Sequence, residues 1–239
     1  MTMRKFHLYL LIGQSNMAGR GALVDADPQP HPRVLMLNQA RQWTPAVDPI
    51  HFDKPAMLGV GPGRSFGQAM AERDPTVRIG LIPGAAGGSP ITSWTRGGFW
   101  RQTGSHPLDD ALARARIGQQ DGLLKGILWH HGESDSNETD APLYQDRLTQ
   151  LIATLRAELG IADLPFVAAT LGDFYLRNEW AAKINKVLLS LPQRIANTAC
   201  VDAQGLTHKG DNLHFDTPSA QELGRRYAKA MIELEKNRP

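Results

Sequence analysis

Short apolar runs recur along the chain at residues 7–12, 33–37, 77–82, 125–129 and 166–171. Runs of this length, bounded by Gly, Pro or polar clusters, read as buried strands. Between them lie stretches with helical spacing, at residues 65–73, 106–120, 141–159, 181–191 and 218–235. In the third of these, Leu148, Leu151, Ile152 and Leu155 share one face. In the last, Leu223, Tyr227 and Met231 recur every four residues behind Thr217, which reads as the N-cap. Strand alternating with helix predicts a parallel sheet covered by helices on both faces. Residues 199–201 read as a short extended piece. Residues 39–63 read as an irregular, proline-rich connection, long enough to shape one wall of a site.

The totals narrow the function classes. A chain of 239 residues suffices for one α/β domain with a full core, and residues 1–239 are taken as one. With 26 basic and 24 acidic residues the net charge is +2, which gives no reason to expect nucleic acid or an anionic membrane as partner. No apolar run approaches the ~18 residues of a membrane span. The single cysteine, Cys200, excludes an internal disulfide and fits a reducing, cytoplasmic compartment. Arg4 and Lys5 before an apolar run faintly resemble a signal peptide, but the run is short and cleavage there would remove the first strand. A leader already removed would make the protein secreted or periplasmic.

The chemistry gathers in the loops. In a parallel sheet the loops after residues 12, 82 and 129 share the carboxyl edge, where such sheets bind ligands. The first reads Gly13-Gln14-Ser15-Asn16-Met17. Ser15 there either caps a helix or faces a ligand, since free N–H groups at a helix start favour developing negative charge. Near the other end, Asp211 precedes His214 by three residues. A carboxylate so placed fixes the imidazole tautomer through Nδ1–H and leaves Nε2 to take a hydroxyl proton. Ser15, His214 and Asp211 are therefore a candidate triad. Met17 stands where a Gly-x-Ser-x-Gly elbow needs its second glycine, so Ser15 is presented differently from an α/β-hydrolase serine. Oxyanion donors are expected from the N–H groups of Ser15 and Gly88, with the His131 side chain as a third candidate.

Four segments, Gly13-Gln14-Ser15-Asn16-Met17, Gly87-Gly88-Ser89-Pro90-Ile91 with Trp94, His131-Gly132-Glu133-Ser134-Asp135, and Asp211-Asn212-Leu213-His214-Phe215-Asp216, resemble in order the four blocks of the SGNH hydrolases. More narrowly they resemble the sialate O-acetylesterase and acetylxylan esterase branch, carbohydrate esterase family six. The resemblance implies a flavodoxin-like three-layer α/β/α sandwich with about five parallel strands and no metal or other cofactor. It implies hydrolysis of acetyl esters on small or polymeric sugars. Ser15 would be nucleophile, His214 base and Asp211 its partner. One departure stands out: His131 occupies a position where the family carries Gln.

Other readings remain open at this level. Glu133 is an alternative acid for His214, or a brace between loops; Gln14 and Asn16 are supporting residues. Trp94 and Trp100 either anchor their loop or stack on a sugar ring. His130, His131, Glu133 and Asp135 could suggest a metal site, but adjacent histidines in an extended segment diverge. A lipase, thioesterase or arylesterase of the same fold, or a carbohydrate-binding protein without activity, are the rivals.

Overall fold

The computed structural model describes residues 6–23, 29–175 and 179–236. Arg4 and Lys5, used above, lie outside the described residues. The elements run β1 (Phe6–Gly13), α1 (Ser15–Ala18), β2 (Val34–Leu37), β3 (Trp43–Pro45), α2 (Gly63–Arg73), β4 (Arg78–Pro83), α3 (Pro107–Gln119), β5 (Leu123–His130), α4 (Tyr144–Leu159), β6 (Phe166–Ala169), α5 (Glu179–Leu189), α6 (Leu191–Arg194), β7 (Thr198–Val201) and α7 (Thr217–Lys236).

The strands form a seven-stranded sheet in the order β3-β2-β4-β1-β5-β6-β7, parallel except for β3. This corrects the expected count of about five. Both additional strands are at edges. β3 holds three residues ending in Pro45, whose missing N–H a sheet tolerates only at its rim. β7 grows from the piece expected to be merely extended. β4 rather than β2 neighbours β1, a departure from the flavodoxin strand order.

β1 runs through the middle because it is apolar on both faces. Leu8, Leu10 and Ile12 enter one core beneath α3, α4 and α5; Tyr9 and Leu11 enter the other beneath α2 and α7. Each such fully buried aliphatic side chain contributes about 1.5–3 kcal/mol. The result is three layers, with helices on both faces of the sheet. Among the described residues no helix is long and apolar enough to cross a membrane.

Shared direction puts the carboxyl ends of β1, β4, β5 and β7 on one edge. There Gly13 pairs with His130, at φ 131°, and a Cβ at Gly13 would collide with the His130 carbonyl. That close approach lets Gln14 N–H bond the His130 carbonyl at 2.8 Å and turns the chain up into α1. At the start of α7 the cap is Asp216, not Thr217. Asp216 Oδ1 accepts the Ser219 N–H at 2.9 Å, while the Thr217 hydroxyl donates to the Ala22 carbonyl at 2.7 Å.

Candidate active site

The two ends of the chain meet over the carboxyl edge. His214 Nε2 lies 3.0 Å from Ser15 Oγ, and His214 Nδ1 lies 2.7 Å from Asp211 Oδ2. The Asp211 carboxylate is held by its own turn: Oδ1 accepts the N–H of Leu213 at 3.0 Å and of His214 at 2.8 Å. Burial works to raise this carboxyl, but the bonds from the His214 N–H, the His214 ring and the Leu213 N–H outweigh it and bring it down to about 2. Asp211 is thus an ionised acceptor at neutral pH, so the ring nitrogen beside it, Nδ1, is the donor of that bond. That leaves Nε2 as the acceptor facing Ser15.

Asn16, next to the serine, ties this turn to its neighbours. Its side-chain oxygen accepts the Phe215 N–H at 3.1 Å, and its amide donates to the Leu213 carbonyl at 3.0 Å and to Glu133 Oε1 at 2.7 Å. Asn16 therefore orients loops rather than capping α1. Gln14 performs a parallel task toward the loop after β5. Its oxygen accepts the N–H groups of Gly132 at 2.8 Å and Glu133 at 3.2 Å, and its amide donates to Ser134 Oγ. Ser134 Oγ in turn donates to the Gly88 carbonyl at 2.9 Å. The Ser15 loop, the loop after β5 and the Gly87–Gly88 loop are thereby one bonded unit. Gly88 sits at φ 77° within it.

Residues 5–233 match the family model described as carbohydrate esterase, sialic acid-specific acetylesterase. The chain belongs to that family. It is a carboxylic ester hydrolase. A relative from Arabidopsis thaliana, named a probable carbohydrate esterase, is 34% identical over 247 residues, covering 94% of this chain and 90% of the relative. The crystal structure of a protein from the same plant superposes with a TM-score of 0.85 at 32% identity, over 95% of this chain and 98% of that one. NanS shares the fold at 17% identity and a TM-score of 0.77, covering 98% of this chain and 99% of its own. A carbohydrate acetylesterase from Xanthomonas citri does so at 20% and 0.70, covering 98% of this chain and 57% of that one.

Three residues that the sequence brought to the site stand elsewhere in this family member. His131 is not an oxyanion donor. It is fully buried, stacked on Trp129 at 4.5 Å, with Nε2 on the Ser89 carbonyl at 2.9 Å and Nδ1 on the Tyr144 hydroxyl at 3.2 Å. Both nitrogens are spent inside the core. Trp94 is not a sugar platform: it is 2% exposed, edge-on to Trp129, and its indole N–H donates to Ser89 Oγ at 2.9 Å. Glu133 does not partner His214; it takes the Asn16 amide, and its Oε1 lies 3.7 Å from His130 Nδ1. Trp100 is half-buried, with its indole N–H on the Gly87 carbonyl at 3.1 Å. The adjacent histidines do diverge, His130 toward Phe215 and His131 toward Trp129. Among the described residues no cluster of His, Cys, Asp and Glu is disposed to hold a metal ion.

Sequence reasoning missed Arg20 and Asp53. Their side chains are each 1% exposed and form a 2.7 Å ion pair. Asp53 Oδ2 also accepts the Gly87 N–H at 2.8 Å. Asp53 lies in the proline-rich connection, which meets the glycine loop at Gly87, but nothing in its local pattern singles out one carboxylate. Ser134 stood inside a recognised block without a role; only the structure shows it bridging Gln14 to Gly88.

Proposed function

We infer that this carbohydrate esterase removes O-acetyl groups from sugars through an acetyl-enzyme carried on Ser15. The observation that carries the reading is the unbroken Ser15–His214–Asp211 chain, at 3.0 and 2.7 Å. Ser15 Oγ attacks the acetyl carbonyl carbon while His214 Nε2 takes its proton. The carbonyl oxygen becomes an oxyanion facing the N–H groups of Ser15 and Gly88. The tetrahedral intermediate collapses, the C–O bond to the sugar breaks, and Nε2 returns the proton to the departing sugar oxygen. Water then attacks the acetyl carbonyl, giving its proton to Nε2, and acetate leaves as Ser15 Oγ is reprotonated.

Family membership and the relatives' names support a sugar ester as substrate. The test pairs Ser15→Ala with a substrate panel. On p-nitrophenyl acetate, Ser15→Ala lowers turnover by about 10⁴-fold or more, and a serine-reactive phosphonate labels the wild type but not the variant. Acetylated xylan, acetylated monosaccharides and O-acetyl sialic acid are then compared with p-nitrophenyl butyrate and longer esters. Faster turnover of long acyl chains than of any acetylated sugar would replace this reading by a lipase- or thioesterase-type one.

A further inference from the structure

The Gly87–Gly88 amide is a rigid plane in which the carbonyl oxygen and the amide hydrogen point in opposite directions. Whatever grips the Gly87 carbonyl therefore aims the Gly88 N–H. The grip is the Trp100 indole N–H, at 3.1 Å. The flanking groups are gripped as well: the Gly87 N–H by Asp53 Oδ2 at 2.8 Å, and the Gly88 carbonyl by Ser134 Oγ at 2.9 Å. These anchors come from three different segments of chain, and each is itself braced. Asp53 takes two bonds from Arg20, at 2.7 and 3.3 Å. The glycine loop lies so closely on that ion pair that a Cβ at Gly87 would come within 2.5 Å of both partners. Trp100 is fixed at its own backbone by a two-way bridge to Ser105, at 2.8 and 3.3 Å. Its ring lies against the apolar core, with Cζ2 3.8 Å from where a Gly88 Cβ would be.

We propose that Trp100 is a positioning residue for the reaction, its indole N–H setting the direction of the Gly88 N–H that receives the oxyanion. The inference rests on the reading of Gly88 as oxyanion donor. A bond to the Gly87 carbonyl also draws electron density toward that oxygen, which makes the N–H in the same amide a better donor. Stacking on a sugar ring, the other use of this tryptophan, needs the ring alone. The two roles therefore separate when the N–H is removed and an aromatic ring is kept.

Trp100→Phe performs that separation. Loss of an oxyanion donor outright costs about 10²–10³-fold in kcat, and a misaimed donor costs less. Trp100→Phe is expected to lower kcat about 10- to 100-fold on p-nitrophenyl acetate, which carries no sugar, and equally on an acetylated sugar. KM and the melting temperature stay near the wild-type values. Phosphonylation of Ser15 slows by the same factor, because the phosphoryl oxygen uses the same donor. Wild-type kcat in Trp100→Phe overturns the proposal. So does a loss confined to the sugar substrate, a change carried by KM, or a fall in rate that tracks a fall in melting temperature. Ser15→Ala is run alongside. Ester hydrolysis that survives Ser15→Ala overturns the active-site reading and this proposal with it; hydrolysis lost in Ser15→Ala but intact in Trp100→Phe overturns this proposal alone.

Discussion

The segment after β7 places a carboxylate three positions before an imidazole; the loop after β5 places one four positions after. Asp211 and His214 lie 2.7 Å apart, and the Asp211 side chain is 35% exposed. His131 and Asp135 lie 3.8 Å apart, and both are wholly buried. The outcome is opposite. Burial works to raise the Asp211 carboxyl, but two backbone N–H groups and the His214 ring outweigh it and hold it at about 2. In the other pair, burial drives the His131 imidazole down to about 3 and the Asp135 carboxyl up to about 7, against the Ile91 N–H, which favours the charged form. The first pair faces a hydroxyl, with His214 Nε2 3.0 Å from Ser15 Oγ. The second lies beneath the glycine loop, its imidazole neutral on the Ser89 carbonyl and its carboxyl on the Ile91 N–H at 3.1 Å, held protonated only below about 7. Residue type selects the candidates for chemistry; hydration and backbone donors decide which of them ionise.

The contrast is broken most directly at Asp211. Asp211→Asn is expected to lower kcat on p-nitrophenyl acetate about 10²–10⁴-fold with little change in KM, since the imidazole loses its tautomer and its counter-charge. A loss below tenfold would deny Asp211 the role. Acid acts on the same group: its depressed value means that the stability it confers is present above the unfolded value near 3.8 and lost as pH falls toward about 2.

Asp135 runs the other way. Its raised value means that its protonated form stabilises the fold fully below about 3.8, and that this contribution fades as pH rises to about 7. In Asp135→Asn that contribution is absent. Urea unfolding at pH 7, 5.5 and 4 should therefore show the wild-type advantage growing as pH falls, by up to about 1.4 kcal/mol per pH unit. A gap that stays constant, or narrows toward pH 4, would mean that Asp135 is ionised in the fold. His131, with its lowered value, costs stability as pH falls from the unfolded value near 6.5 toward about 3. Over most of that span the two groups offset each other, because the native pair holds as many protons as the unfolded one.

The smallest effect is reserved for Glu133→Gln. The amide oxygen still accepts from Asn16, so kcat should fall by less than about tenfold. A loss as large as that of Asp211→Asn would make Glu133 the functional acid after all.

How much of this is legible in the sequence follows from range. β1, β4, β5 and β6 were visible because strands buried on both faces are continuously apolar. β3 was not, because its Trp43-Thr44-Pro45 has no periodicity and a proline that speaks against a strand. Asp211 and His214 were readable because a carboxylate and an imidazole in one turn meet by local geometry. His131 was misplaced because its direction depends on which face of β5 it leaves by, and that face turned out to be lined by Trp129 and Tyr144. Asp53 and Arg20 meet across 33 residues without any local pattern, and only the folded chain brings them to Gly87.

Asn16 and Phe215, bonded at 3.1 Å across 199 residues, have a consequence for biosynthesis. A polypeptide leaving the ribosome exposes Ser15 well before the His214 imidazole, which follows 199 residues later. If Ser15 and His214 act together as proposed, ester hydrolysis waits until the His214 turn docks. Stalled chains halted before residue 211 should release no p-nitrophenol above background, whereas completed ones should begin to do so as soon as they fold.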